Sequence, residues 1–181
     1  GTIAGATIFA EWIFSVPTNT PGGDLKGFEL SYQQPFKFLP GIWSNTGVIL
    51  NYTGTDSEVD YLDAFGAVVI RTDVTGLSKS SYNATLYYED DKLTARVAAS
   101  GRDEYLTVVP GNNSNNVQGT AETFNLDFSI SYAMNENITW SFEGLNMTDE
   151  FSDQWVDSRA DRLSFYHHTG RQYFLGMRYQ Y

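Results

Sequence analysis

The sequence contains no cysteine, few basic residues and no long apolar run. The absence of cysteine excludes a disulfide scaffold and thiolate metal sites. Only 11 Lys and Arg stand against 22 acidic residues, a net charge of −11, which argues against nucleic acid as a partner because phosphate binding requires clustered basic side chains. The longest apolar run covers residues 64–70. A transmembrane helix needs about 20 apolar residues, so none is predicted.

Charged residues are also scarce, at 18%, while aromatic residues reach 15% of the 181 residues. A soluble domain usually carries about a quarter of charged residues. The mean hydropathy is only −0.32. Membrane β-barrels have this property, because their strands alternate apolar and polar residues and their average hydropathy is modest. The low hydropathy therefore does not exclude a membrane location.

Segments in which every second residue is apolar or aromatic predict β-strands. The clearest covers residues 170–181 at the end of the chain. Its alternate residues are Tyr173, Leu175, Met177, Tyr179 and Tyr181. Seven further strands are predicted over residues 7–16, 25–33, 43–53, 80–89, 92–102, 124–132 and 138–145. Strands of about 9–11 tilted residues are long enough to cross a bilayer.

The connections between these strands alternate in length. Short connections are predicted at 34–42, 89–92 and 134–137, and long ones at 54–77, 103–119 and 146–169. Residues 67–70, inside the first long segment, are compatible with a small strand or hairpin. Short turns at one end and long loops at the other are typical of outer-membrane barrels. The sequence therefore predicts an all-β, antiparallel transmembrane β-barrel of about eight strands, rather than a soluble sandwich.

In such a barrel the apolar residues face lipid and the alternate set faces the lumen. The charged residues of the second set are Glu29, Arg96, Asp127, Glu143 and Arg178. An arginine facing lipid at the midplane would cost about 2–4 kcal/mol, which fixes the register of the strands that contain arginine. Aromatic residues near the strand ends are expected to form girdles at the membrane interfaces; they are Trp12, Trp43, Tyr82, Tyr132, Tyr179 and Tyr181.

Five segments in series resemble the C-terminal part of a TonB-dependent outer-membrane receptor of the carbohydrate-type proteobacterial branch. They are LKGFELSYQQPF (25–36), LNYTGTDS (50–57), GLSKSSYNATLYYE (76–89), FEGLNMTDE (142–150) and GRQYFLGMRYQY (170–181). The resemblance covers most of residues 23–181. The first 22 residues match poorly, and residues 58–74 are expected to be an insertion.

The resemblance implies a barrel of about 22 strands plugged by an N-terminal domain. Residues 1–181 would then be the C-terminal portion of that barrel, without the plug domain. The implied partners are the remainder of the receptor (plug and N-terminal barrel strands), the TonB energy-coupling system acting through the plug, the barrel-assembly machinery, and lipid or lipopolysaccharide. The alternate residues of the last strand resemble the signal that the assembly machinery reads. The implied location is the bacterial outer membrane, with the C-terminus in the periplasm.

The function implied by the resemblance is active transport of a scarce nutrient, with an oligosaccharide favoured and a siderophore or metal chelate left open. An alternative is a self-contained 8-stranded barrel acting as an anchor, adhesin or small pore. A soluble binding sandwich is a third hypothesis. No Ser-His-Asp, zinc or phosphate-cradle pattern is present, so the chain is not expected to be an enzyme, and no cofactor or metal is predicted.

The candidate ligand-binding residues lie in or beside the long loops. They are Arg102, Tyr105, Trp155, Tyr166 and His167. Aromatic residues in these places are typical of sugar-stacking platforms and equally of ordinary loop packing. Arg102 with Asp103 and Glu104 favours a salt-bridge group at the rim over a substrate clamp. His167 and His168 are adjacent in a strand and point to opposite faces, so a joint metal site is not expected.

Acidic residues are concentrated in the first and third long loops. They are Asp56, Glu58, Asp60 and Asp63, and Asp149, Glu150, Asp153, Asp157 and Asp161. Carboxylates can coordinate Ca²⁺, but this spacing does not match an EF-hand loop. A solvated acidic surface is the favoured interpretation.

Overall fold

A computed structural model describes residues 2–3, 6–7, 21–63 and 65–181. In chain order the strands are β1 (Thr2–Ile3), β2 (Ala6–Thr7), β3 (Gly23–Pro35), β4 (Thr46–Leu62), β5 (Val68–Thr72), β6 (Ser80–Glu89), β7 (Leu93–Arg102), β8 (Tyr105–Val108), β9 (Gln118–Thr120), β10 (Thr123–Ala133), β11 (Ile138–Leu145), β12 (Ser152–Val156), β13 (Arg162–His167) and β14 (Gln172–Tyr179). A short 3-10 helix covers Gly41–Asn45. Among these residues no helix is long and apolar enough to cross a membrane. Apart from Thr7, the strand predicted over 7–16, with Trp12, lies outside the described residues.

The larger sheet has eight strands in the order β14-β11-β10-β7-β6-β4-β3, with β5 paired to the far end of β4. Every pair in it is antiparallel. The predicted all-β, antiparallel fold is therefore confirmed. In the described part of the chain β3 and β14 lie at opposite edges and do not pair with each other. A self-contained barrel would have to join these two edges, either directly or through the strand predicted over 7–16, because a membrane-spanning sheet cannot leave open edges in lipid.

The strand register separates polar from apolar residues onto the two faces of this sheet. Ser129 lies opposite Arg96 on β7 and Glu143 on β11, and Asp127 lies opposite Ala98. Glu29 and Arg178, in the edge strands, belong to the same alternating set, opposite Thr53 and Thr139. All five charged residues predicted to face the lumen therefore share one face of the sheet.

The opposite face is apolar and lacks a covering layer in the described ranges. One cross-strand row on it runs Leu86, Val97, Phe128, and the side chain of Phe142 stands between those of Phe128 and Tyr173 at ring distances of 5.4 and 6.2 Å. Val97 is 46% exposed although its strand is central. Exposing a contiguous apolar face of this size to water is unfavourable in free energy, so such a face is normally covered by another apolar layer.

The height of the apolar face is close to that of the apolar band of outer-membrane barrels. On β7 the face extends from Leu93 to Gly101, about 27 Å along the strand at about 3.4 Å per residue. At a strand tilt of about 40° this is about 20 Å along the membrane normal, against about 25 Å for the apolar band. Aromatic side chains lie at both of its ends. They are Tyr132, Trp140 and Tyr179 at one end and Tyr52, Tyr82 and Phe124 at the other. Trp43, which was predicted to lie in a strand, belongs instead to the 3-10 helix.

The predicted boundaries differ from the structure mainly in the long segments. β4 begins at Thr46 and continues to Leu62, where it forms a hairpin with β5, so residues 54–77 are not one long loop. The closing strand covers Gln172–Tyr179 and leaves Tyr181 beyond its end. The boundaries predicted for β6 and β11 are confirmed.

The segments predicted as the second and third long loops contain a second sheet. Its four antiparallel strands lie in the order β13-β12-β9-β8, with register shifts at residues 154–155 and 106–108. The only hydrophobic side chains that are buried in the described ranges belong to this part of the chain: Val117 (3% exposed) and Trp155 (8% exposed). The small hydrophobic core within the described residues therefore lies at the smaller sheet and not against the larger one.

An ion pair closes the β4–β5 hairpin beyond the apolar band. Arg71 donates to both carboxylate oxygens of Asp60, at 2.5 and 2.9 Å, and this hydrogen bonding holds the pKa of Asp60 below its usual value. The ionised Asp60 carboxyl therefore stabilises the hairpin at pH values above the pKa that it has in the unfolded chain. This stabilisation is lost as the pH falls through the lower pKa of the folded state.

We expect the Asp60 carboxyl to titrate below the ordinary Asp range in a carbon-13 NMR titration. Arg71→Gln should move it back, whereas Lys92→Gln, at the other end of the sheet, should not. An unchanged titration in Arg71→Gln would contradict the ion pair.

Candidate ligand-binding site

A cavity of about 650 Å³ lies between the β4–β5 hairpin and the four-stranded sheet. Its walls come from β5, from the segment before β6, from the junction of β7 and β8, and from β12 with the turn that follows it. Two of the predicted ligand-binding residues, Tyr105 and Trp155, line it. The volume falls within the range of about 300–1,000 Å³ that is typical of small-molecule sites.

Arg102 is held beside this cavity by neutral groups. Its Nε donates to Ser78 Oγ at 2.9 Å, and its guanidinium carbon stands 3.9 Å from the centre of the Tyr105 ring. A guanidinium in this position is attracted by the negative face of the ring. Arg102, Asp103 and Glu104 take part in none of the ion pairs found among the described residues. The salt-bridge group predicted at the rim is thus wrong, and Arg102 serves instead to fix Tyr105.

Ser78 connects the segment before β6 to the end of β7. Its side chain is buried, and its hydroxyl donates to the carbonyl of Asp103 at 2.6 Å while it accepts from Arg102. The backbone N–H of Gly76 donates to the carbonyl of Leu106 at 2.7 Å, on the same junction. These hydrogen bonds join the segment before β6 of the larger sheet to the start of the smaller sheet. They therefore hold two walls of the cavity in position relative to each other.

Replacing Ser78 by alanine should loosen this junction. The change removes both hydroxyl hydrogen bonds and leaves the Arg102 guanidinium without one acceptor, a cost of about 1 kcal/mol. We expect faster amide exchange at residues 76–80 and 102–106 in hydrogen-exchange mass spectrometry. Ser129→Ala, in the middle of the larger sheet, provides a control of the same size. Equal exchange in wild type and Ser78→Ala would show that the junction does not depend on this hydroxyl.

Trp155 packs its indole against the backbone of β9. Trp155 and Gly119 are cross-strand partners, and a Cβ at Gly119 would lie 2.6 Å from Trp155 Cε2 and 2.9 Å from the carbonyl oxygen of Tyr105. Only glycine leaves room for this approach. The indole Nε1 is buried and has no hydrogen-bond acceptor within the described ranges.

The turn after β12 brings two further polar residues to the cavity. The backbone N–H groups of Ala160 and Asp161 both donate to the carbonyl of Asp157, and Asn116 binds Ser158 through two hydrogen bonds of 2.6 and 3.1 Å. Arg162 donates to the Asp157 carboxylate, and this hydrogen bond holds the pKa of Asp157 below its usual range. The turn is therefore rigidly tied, and Ser158 and Asp161 line the cavity.

The other two predicted ligand-binding residues lie elsewhere. Tyr166 and His167 are exposed on β13, the edge strand of the smaller sheet. The neighbouring His168 stacks on Phe151 at 4.0 Å and contacts Asp149 at 2.9 Å, so its role is to hold the end of β13 to the turn before β12. No group of three or more His, Asp or Glu side chains in the described ranges is arranged to hold a metal ion.

Sequence reasoning missed Ser78, Gly119, Asp73 and Glu122, and it did not bring Asp103, Glu104 and Asp161 together at one wall of a cavity. Besides Asp103 and Glu104, this wall includes Asp73, Glu122 and Asp161. None of them belongs to a motif. The one local signal in the sequence is Gly119, which stands between a polar run and the strand predicted over 124–132. A glycine in such a place is typical of a site where another part of the chain comes close to the backbone.

Comparison with known proteins identifies the fold. No protein-family model matches the chain, and no curated protein does. The structure is similar to the crystal structure of the siderophore receptor PiuA from Acinetobacter baumannii, with a TM-score of 0.60 and 18% sequence identity over 88% of this chain. The match covers 22% of the PiuA chain. The similarity gives no support to the carbohydrate branch. The chain thus has the antiparallel β-fold of a segment of a receptor barrel and spans about a fifth of the length of the receptor it matches.

Proposed function

We propose that this chain is the C-terminal part of the barrel of a TonB-dependent active transporter in the bacterial outer membrane. The observation that carries this proposal is the larger sheet, which presents a continuous exposed apolar face close in height to the apolar band of outer-membrane barrels and a polar face opposite to it. Lipid can cover the first face, and the second suits a filled lumen. The similarity in fold to a siderophore receptor supports the same function.

The proposed partners follow from the edges and faces of this sheet. β3 and β14 lie at its edges, where the remaining strands of the receptor would pair. The plug would contact the polar face and link the barrel to TonB. Tyr173, Leu175, Met177 and Tyr179 follow the apolar face of β14, and Tyr181 lies beyond it; we assign these residues to recognition by the assembly machinery. The connections at 36–45, 90–92 and 134–137 share the end of the sheet where Tyr179 lies, so the C-terminus is proposed to be periplasmic.

The transported ligand is proposed to be an oligosaccharide or a siderophore. The cavity at the opposite end of the sheet, in the proposed extracellular part, is suited to recognise part of it. PiuA is a siderophore receptor by name, whereas the sequence resemblance favours the saccharide. The structural similarity does not separate the two, because 18% identity is compatible with different ligands.

Uptake by living cells tests the proposal. A strain that lacks the gene for the full-length receptor should lose energy-dependent uptake of a fluorescent oligosaccharide or of a ferric siderophore, and the restored gene should return it. The receptor should fractionate with the outer membrane and migrate faster in electrophoresis before heating than after. Recovery in the soluble periplasmic or cytosolic fraction would overturn the proposal.

A further inference from the structure

The smaller sheet continues four strands of the larger sheet beyond the apolar band. Connections at 103–104, 121–122, 146–151 and 168–171 join each of its strands to one strand of the larger sheet. The order β13-β12-β9-β8 therefore repeats the order β14-β11-β10-β7. β13 is thus the edge strand of the smaller sheet on the side where β14 is the edge strand of the larger one.

The connection between β13 and β14 is tied to the connection between β11 and β12. Asn146 Nδ2 donates to the carbonyl of Gly170 at 3.3 Å, and Arg171 Nε donates to the carbonyl of Met147 at 3.0 Å. These hydrogen bonds hold the hairpin of β12 and β13 above the pair of β11 and β14. The free edge of β13 therefore continues the free edge of β14.

The backbone of β13 points outward from the sheet at two positions. The carbonyl of Asp153 accepts from the N–H of Ala121 at 2.9 Å, so the backbone groups of Asp153 face β9. In an antiparallel ladder the N–H and C=O of one residue point to the same side. The cross-strand partner of Asp153, Tyr166, therefore directs its N–H and C=O away from β12. Leu163 does the same, because its partner Trp155 also faces β9.

The side chains of β13 are those of a covered strand. Three large apolar side chains on it are exposed, at 61%, 54% and 60%: Leu163, Phe165 and Tyr166. Free edges are usually protected by lysine, proline, charge or a bulge. β13 contains no lysine and no proline, and its one arginine, Arg162, is paired with Asp157 at the far end of the strand. A register shift opposite residues 154–155 is its one irregularity.

We infer that β13 pairs with the same strand of the full-length receptor that pairs with β14. The edge of β14 must be paired in lipid, and the edge of β13 continues it. An extension of that neighbouring strand by about ten residues would cover the ten positions 162–171. Its backbone would pair with Leu163 and Tyr166, and its apolar side chains would cover those of β13. This inference rests on the proposed function, which supplies the neighbour of β14.

Amide exchange at single residues tests the pairing in the full-length receptor in lipid nanodiscs. The amides of Leu163 and Tyr166 should exchange about 100-fold more slowly than in an unstructured peptide of the same sequence. Phe165 and His167 are internal controls, because their N–H groups face β12 and are protected whether or not the outer edge is paired. Exchange of Leu163 and Tyr166 at the rate of the peptide, with or without protection of the two controls, overturns the inference.

Photo-crosslinking identifies the partner. A photoreactive benzoylphenylalanine at Tyr166 should link to a segment of the same polypeptide that precedes these 181 residues, which peptide mapping by mass spectrometry locates. The matched control is the same group at Phe65, which is 95% exposed at the tip of the β4–β5 hairpin and should give little product. A link to residues 7–16, to a second copy or to a separate protein overturns the inference, as does a yield no higher than that at Phe65.

The outcomes also separate this inference from the proposed function. A receptor that fractionates with the outer membrane and takes up its ligand, but whose Tyr166 amide exchanges freely, overturns the inference and leaves the proposed transport function standing. Failure of the receptor to fractionate with the outer membrane would overturn both.

Discussion

Replacing Val97 by arginine is expected to reduce the free energy of unfolding of the membrane-inserted receptor by about 2–4 kcal/mol. Val97 lies in the central strand β7, in the middle row of the apolar face, between Leu86 and Phe128. A guanidinium placed there would either remain in hydrocarbon or draw water and headgroups toward it, and each response costs free energy. Edge effects do not complicate the result, because β6 and β10 flank this strand on both sides.

The neighbouring position supplies a matched control. Ala98 lies on the opposite, polar face, opposite Thr85 and Asp127, so an arginine there gains a carboxylate neighbour. Ala98→Arg should therefore cost much less than Val97→Arg. Both variants of the full-length receptor are compared by urea titration in lipid vesicles, with heat-modifiable migration as the measure of the folded fraction. Similar losses for the two variants would show that the two faces do not differ in environment.

The larger sheet was predictable because one of its faces is apolar and the other polar, the alternation that lipid on one side and a lumen on the other would impose. Residues 124–132 show it most clearly, and β10 covers Thr123–Ala133. The alternation stops beyond the apolar band of the sheet. The second half of β4 contains Thr55, Asp56, Ser57 and Glu58, a run without apolar alternation, and its continuation to Leu62 was therefore interpreted as a loop. The strands of the smaller sheet contain between three and six residues each, too few to display a period.

The candidate site was predictable only in part, for a related reason. Tyr105 and Trp155 were chosen as aromatic residues in loops, and the fold brings both to one cavity. Tyr166 and His167 were chosen on the same grounds, but they lie on an exposed edge strand. What separates the two pairs is the pairing of β12 with β9, a contact between two different long loops. No local sequence pattern specifies such a contact, because residues more than thirty positions apart create it.

Gly119→Ala is expected to disrupt this contact and open the cavity. The new methyl group would lie 2.6 Å from Trp155 Cε2 and 2.9 Å from a backbone oxygen, and neither a buried indole nor a paired strand can easily retreat. Overpacking of this kind costs about 1–3 kcal/mol. The cost falls on the smaller sheet, whose core contains little besides Trp155 and Val117, so the sheet should open locally while the larger sheet stays intact.

Hydrogen exchange and fluorescence quenching measure this effect. Exchange should accelerate over residues 105–108, 118–120 and 152–156, and acrylamide should quench Trp155 more strongly, with the Trp155→Phe protein giving the contribution of the other three tryptophans. Gly176→Ala is the control, because its new methyl group would meet only the hydroxyl of Ser141, which can rotate away. Unchanged protection of these strands in Gly119→Ala would show that the indole does not depend on close approach to β9.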